Sequence, residues 1–216
     1  MRNGLLAAAA AFGVLAFGPQ VEAAVIPFTF SGAGITGSGN FTVGPDLVLG
    51  DPANALAITG ISGTFSDSNA GIVNANITGI VAINPFSPKD PLAPTSFSKF
   101  AVTNPVPPGD AVSYDNLVYL DGSPITCTDY PGSGGFLDVY GVLFTLDNGD
   151  TVDLWSNGRG PHLPPLNYGA IVIDPTDTIV DNQSGLAASV PEPAAISILG
   201  IGLLGLGLLG RRRSAS

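Results

Sequence analysis

The chain has 216 residues, with 11% charged residues, 29 Gly and 19 Pro; it is too apolar for disorder and too rich in helix breakers for a helical bundle. Seventeen Asp and Glu against seven Lys and Arg give a net charge of −10, which excludes the basic surface a nucleic-acid binder uses to neutralise phosphates. A single cysteine, Cys127, and a single histidine, His162, exclude an internal disulfide and the zinc sites built on several cysteines.

The first 23 residues read as a secretory signal peptide. Arg2 supplies the positive end, Leu5 to Phe17 is an uncharged apolar run, and Val21-Glu22-Ala23 places small residues where a signal peptidase needs them. The run is short for a bilayer span, so removal is expected, with cleavage between Ala23 and Ala24.

Residues 24–189 form the expected exported domain. Its cations are Lys89, Lys99 and Arg159, against fifteen Asp and no Glu. Asp favours turns and caps, whereas Glu, Lys and Arg favour helix interiors, so helices should be scarce. Strand-like runs, β-branched and aromatic and bounded by Gly, Pro, Asn or Asp, occur at 25–30, 40–43, 56–65, 72–83, 97–102, 117–120, 136–146, 151–155 and 168–173. Nine short strands predict an all-β single domain, an antiparallel β-sandwich of jelly-roll type. The sharpest local signal is Asn148-Gly149 between two alternating segments, which predicts a hairpin with a type I′ turn. Alternation puts Val152 and Leu154 on one face and Thr151, Asp153 and Trp155 on the other. Residues 84–113 break the strand pattern: Pro85, Pro88, Pro91 and Pro94 recur every three residues, which fits a stiff connector and, as the alternative, a polyproline II docking face.

Candidate chemistry in this domain is sparse. No core Ser has Gly two residues before and two after it, and His162 sits in a Pro-rich stretch, so a nucleophilic triad lacks its local signature. Cys127 has no neighbouring base in sequence to lower its pKa and reads as a small apolar residue. Oxygen ligands suited to calcium cluster at Asp147, Asn148, Asp150 and Asp153, and also at Asp115, Asp121 and Asp129, although neither run matches an EF-hand loop. A glycosidase would require two Asp, since the domain has no Glu. Trp155 and Tyr168, with Tyr130 and Tyr140, are candidate platforms for a sugar, because aromatic faces cover the apolar side of a pyranose and nearby Asp and Asn accept its hydroxyls. For Tyr140 and Trp155 the competing reading is ordinary packing.

After residue 189 the composition changes. Val190-Pro191-Glu192-Pro193 is followed by an uncharged stretch, residues 194–210, and then by Arg211, Arg212 and Arg213. As a helix this stretch would be about 25 Å long, a marginal membrane span, and the arginines would stay on the cytoplasmic side while the rest of the chain is exported. Its glycines are never four apart, so the close-packing dimer pattern is missing.

These three parts, in this order at the end of the chain, resemble the PEP-CTERM sorting signal of Gram-negative bacteria. The resemblance is confined to residues 190–216 and divides the chain into a signal peptide at 1–23, a secreted domain at 24–189 and a sorting signal at 190–216. It implies that an exosortase, a transpeptidase-like enzyme of the inner membrane, recognises Pro191, Glu192 and Pro193 in a transiently membrane-anchored precursor. It further implies delivery to the cell surface or the exopolysaccharide matrix. The expected role is structural or carbohydrate-binding rather than enzymatic, with a secreted, Asp-based glycosidase-like hydrolase as the alternative. No cofactor is expected beyond calcium.

Overall fold

The computed structural model describes residues 23–45, 52–83, 101–102, 112–126, 131–159 and 166–190. No helix occurs among them, and eleven strands account for the regular structure. In chain order these are β1 (Ala24–Gly32), β2 (Ile35–Pro45), β3 (Leu56–Asp67), β4 (Ile72–Ile80), β5 (Ala101–Val102), β6 (Ser113–Tyr114), β7 (Leu117–Val118), β8 (Val142–Leu146), β9 (Thr151–Gly158), β10 (Asn167–Ile173) and β11 (Ile179–Ser189).

The antiparallel all-β expectation stands, but the sandwich does not. Eight strands pair in the cyclic order β1-β2-β3-β4-β8-β9-β10-β11, and β11 returns to β1, so a single sheet closes on itself as a barrel. Neighbours around the barrel follow chain order except for one excursion through residues 81–141, which carries β5, β6 and β7. A jelly roll divides its strands between two sheets with exposed edges, whereas closure leaves no continuous edge to protect. Alternation of apolar and polar residues is the same in both architectures, which is why the pattern alone pointed to the wrong one.

Inward side chains fill the barrel. Ile26, Phe28 and Phe30 of β1 alternate with exposed Val25, Pro27 and Thr29, and the same alternation brings in Phe41, Phe65, Phe144, Val152, Leu154, Ala170 and Val172. Phe28 stacks on Phe41 with ring centres 4.2 Å apart, and Phe65 meets Phe144 edge-on at 6.2 Å. An eight-stranded barrel is just wide enough for side chains to occupy its interior, as they do here. Phe136 and Leu137, read from sequence as part of a strand, instead lie in irregular chain ahead of β8 and enter the core from one pole.

Closure depends on local departures from regular strand. Thr59 is an extra residue in β3 between the pairs Thr42–Gly60 and Val43–Ile58, so Ile58 and Ile61 both face inward across a bulge. Gly39 and Gly63 pair directly, with Gly63 at φ +147°. A Cβ on Gly39 would lie 2.9 Å from the Ser62 carbonyl carbon and 3.0 Å from the Gly63 Cα, and closer still to the Ser62 oxygen. The two bare backbones thus let β2 and β3 bend sharply around the wall.

The predicted hairpin forms between β8 and β9, but its turn differs in type. Only Gly149 takes positive φ (+93°), and Asp147, Asn148 and Gly149 make a three-residue loop closed by Gly149 N–H to Leu146 O (3.1 Å) and Leu146 N–H to Asp150 O (2.9 Å). The Asn148 side chain accepts the Asp150 N–H (3.2 Å), which holds it in its negative-φ conformation. A pair of positive-φ turn residues occurs instead between β1 and β2, at Ala33 (φ +50°) and Gly34 (φ +87°).

Candidate functional site

The strand directions give the barrel two unlike poles. One pole carries the four short turns β1–β2, β3–β4, β8–β9 and β10–β11. From the other pole β1 enters at Ala24, and toward it β11 runs as it ends at Ser189, beside Thr29. The expected cleavage point thus lies at the pole toward which β11 runs, but β11 ends beside Thr29, part-way along β1 from Ala24. Val190, the last described residue, packs against the barrel core. Pro191, Glu192, Pro193, Arg211, Arg212 and Arg213 lie outside the described residues, as do the signal-peptide run, the Pro85–Pro94 series, Cys127, Asp129, Tyr130 and His162.

On the outer wall of β8 and β9, residues 112–126 and 131–141 cover a group of buried polar side chains. Asn116, at φ +55°, pins this covering segment to the wall: its Oδ1 accepts the Leu143 N–H (3.1 Å), its Nδ2 donates to Val81 O (2.8 Å), and its backbone N–H donates to Gly141 O (2.9 Å). Asp138 accepts the N–H groups of Tyr140 (3.0 Å) and Gly141 (3.2 Å) and the Tyr119 hydroxyl (3.3 Å). Asp153 is 2% exposed and its Oδ1 has no hydrogen-bond partner. Burial first, and then the Asp138 charge, push the Asp153 carboxyl well above the ordinary carboxylate value. Tyr114, whose hydroxyl donates to Ala82 O (3.1 Å), is raised by burial and by the Asp153 charge.

The four candidate calcium ligands do not gather at one point. Asp147 accepts the Asn76 amide (2.6 Å) and Asn148 donates to Asp150 (2.7 Å), all at the hairpin turn. Asp153 stands instead at the level of Leu143 on the outer wall. Among the described residues no group of three or more His, Cys, Asp or Glu is placed to hold a metal ion. Asp115 is buried, with Oδ1 accepting the Leu117 N–H (3.1 Å).

Trp155 and Tyr168 sit on opposite faces of the wall. Tyr168 points into the barrel, stacks on Phe136 at 4.7 Å and accepts the Phe136 N–H with its hydroxyl (3.0 Å). Trp155 points outward and its ring lies over Gly169, where a Cβ would come within 2.8 Å of Cη2 and closer to two other ring atoms. Its Nε1 is buried without a partner. The two rings therefore do not form one platform, and Tyr140 is fully buried, as the packing alternative expected.

Sequence reasoning passed over a second pair of acids, Asp67 and Asp181. The run Asp67-Ser68-Asn69-Ala70-Gly71 carries a visible turn signal, but nothing in the sequence links it to Asp181 in β11.

Comparison with known families finds that residues 189–213 match the PEP-CTERM protein-sorting motif. The match begins at the last residue of β11 and covers the tail alone. No curated protein and no solved structure matches the chain. Among the described residues no helix is long and apolar enough to cross a membrane. The motif marks an exported protein made as a membrane-anchored precursor and processed by an exosortase-type enzyme, and that conclusion rests on the tail.

Proposed function

We propose that the chain is a structural or glycan-binding component of the cell surface or exopolysaccharide matrix, a filled β-barrel delivered there by its C-terminal signal. The observation that carries the reading is the sorting motif at residues 189–213, directly after the strand that completes the barrel. Because β11 ends at Ser189, removal of the tail beyond Val190 takes no described strand from the barrel. Signal-peptide cleavage after Ala23 leaves β1 intact in the same way, with Ala24 as its first residue.

The packed interior favours binding or scaffolding over chemistry. Phe28, Phe41, Phe65, Phe136 and Tyr168 fill the space that a ligand-binding barrel keeps open, so a ligand would meet the outer wall or a pole. A hydrolase needs two carboxyl groups open to its substrate, and Asp138 and Asp153, the pair with the most unusual surroundings, are each 2% exposed.

The sorting step is tested in a host that carries the exosortase-type enzyme. Deleting residues 190–216 should release a folded barrel to the periplasm or medium, and Glu192→Gln should leave uncleaved precursor in the inner membrane if the enzyme reads the carboxylate. Unchanged surface delivery of the tailless chain would refute the sorting role. Incubation of the exported protein with extracted matrix polysaccharide tests the role of the barrel: retention without new reducing ends supports binding, and released reducing ends would support the hydrolase.

A further inference from the structure

The seam between β1 and β11 joins the first and last strands, and it is only partly zipped. Thr29, Phe30 and Ser31 pair with Ser189, Ala188 and Ala187, whereas β1 and β2 pair along their whole length. Toward the pole of short turns β1 ends at Gly32, while residues 179–184 of β11 have partners on β10 alone. The β3–β4 turn fills this gap.

Asp67, the last residue of β3, is fully buried; its Oδ1 accepts the Asn69 N–H (2.8 Å) and the Ala70 N–H (3.4 Å). Asn69 Nδ2 reaches both sides of the seam, donating to Ala33 O in the β1–β2 turn (2.9 Å) and to Asp181 Oδ2 on β11 (3.1 Å). Asp181 Oδ1 accepts the Gln183 amide (2.7 Å). Asp67 Oδ2 is buried and receives no hydrogen bond, and Asn69, bonded to Asp67 through its N–H and to Asp181 through its amide, brings the two carboxyl groups to one site. As a carboxylate, Asp67 has nothing to accept at Oδ2; as an acid, it has a proton to donate there.

We propose that Asp67 and Asp181 form a proton-bridged clasp that closes the turn-bearing end of the β1–β11 seam in acidic medium and loosens when both groups are ionised. Among the described residues no other charge offsets the pair. The β1–β2 turn (Ala33, Gly34) and the β3–β4 turn (Ser68, Asn69, Ala70, Gly71) contain no ionisable side chain, the facing part of β11 contributes only Asp181, and the one cation among the described residues is Arg159 on β9's side of the barrel. Burial, and then the bond to Asp181, raise Asp67, while the Asn69 and Ala70 N–H groups oppose the rise. For Asp181 burial acts upward, but the hydrogen bonds from Gln183, Asn69 and Asp67 prevail and lower it.

The signs define a window. Stability from Asp67 is fully present below the ordinary value of 3.8 and is lost as pH rises through its raised folded value. Stability from Asp181 is present above 3.8 and is lost as pH falls through its lowered value. The clasp is therefore strongest between the two folded values, with one proton on the pair.

Amide hydrogen exchange of the full-length chain in detergent, corrected for intrinsic rates, tests this at residues 68–71 and 179–184. Wild-type protection in both segments should be highest near pH 3.8, which lies between the two folded values, and should fall as pH rises from there to about 8. Asp67→Asn places a permanent N–H donor toward Asp181 and should hold protection nearly constant over that range. Asp181→Asn removes the like charge and should also flatten the profile, which keeps the test available if Asp67→Asn folds poorly. Flat wild-type protection, or variants that follow the wild-type profile, would overturn the proposal. So would protection restored at the higher pH by millimolar Ca²⁺ in wild type but not in Asp67→Asn, since a cation would then be the bridge.

Discussion

Replacing Gly39 with Ala tests whether the barrel closes through the bare Gly39–Gly63 contact. The new methyl would stand 2.9 Å from the Ser62 carbonyl carbon and 3.0 Å from the Gly63 Cα, with the Ser62 oxygen nearer than either. These are backbone atoms, so relief requires β2 and β3 to separate, and they pair from Ile35–Asp67 to Pro45–Leu56 with one bulge at Thr59. Overpacking of this kind costs about 1–3 kcal/mol, and one or two weakened ladder hydrogen bonds add about 1 kcal/mol each. The sum is about 2–5 kcal/mol, which for a domain of this size lowers Tm on the order of 10 °C. Two controls separate space from conformation. A Cβ on Gly71 meets nothing within 4 Å, but φ is +73°, so Gly71→Ala should cost only about 1 kcal/mol of backbone strain. A Cβ on Gly79 also meets nothing and Gly79 has no positive φ, so Gly79→Ala should be neutral or slightly stabilising. Thermal melts of the exported protein followed by circular dichroism read all three. A Gly39→Ala variant melting within about 3 °C of wild type would refute the account of closure.

Other outcomes follow from single residues. Asp153 has a strongly raised folded value, so its stabilising contribution is present below 3.8 and is lost as pH rises through the raised value; Asp153→Asn should flatten the fall in Tm as pH rises from 3.8, and equal slopes in the two proteins would contradict the assignment. Asn116→Ala leaves the Leu143 N–H and the Val81 carbonyl without their side-chain partners and puts Ala at φ +55°, at a cost of about 2–4 kcal/mol in urea unfolding. Ala33→Asn at the β1–β2 turn replaces a strained left-handed Ala by a residue that tolerates that conformation, and urea midpoints should show a gain of about 0.5–1 kcal/mol.

The sequence by itself determined the parts of this protein that are written locally. Apolar alternation marked Val25–Phe30, Thr151–Trp155 and Tyr168–Ile173 as strands, Asn148-Gly149 marked the β8–β9 hairpin, and Val-Pro-Glu-Pro with its apolar stretch and arginines marked the sorting signal, because each signal fits within a few consecutive residues. Only the tertiary structure decided how those parts close. Strand β11, Ile179–Ser189, has only Ile179, Val180 and Leu186 as large apolar residues among Asp, Asn, Gln, Ser, Gly and Ala, with little alternation, and it becomes a strand because β10 and β1 offer backbone partners on either side. Without it the remaining strands could equally have formed two sheets, and with it they form a barrel. The same holds for the buried acids. Asp138 and Asp153 meet because the segment before β8 folds over β9, and Asp67 faces Asp181 because β11 comes back beside β1. Burial and the neighbouring charge set the character of each of these carboxyl groups, and both are properties of chain closure that no stretch of sequence around an aspartate records.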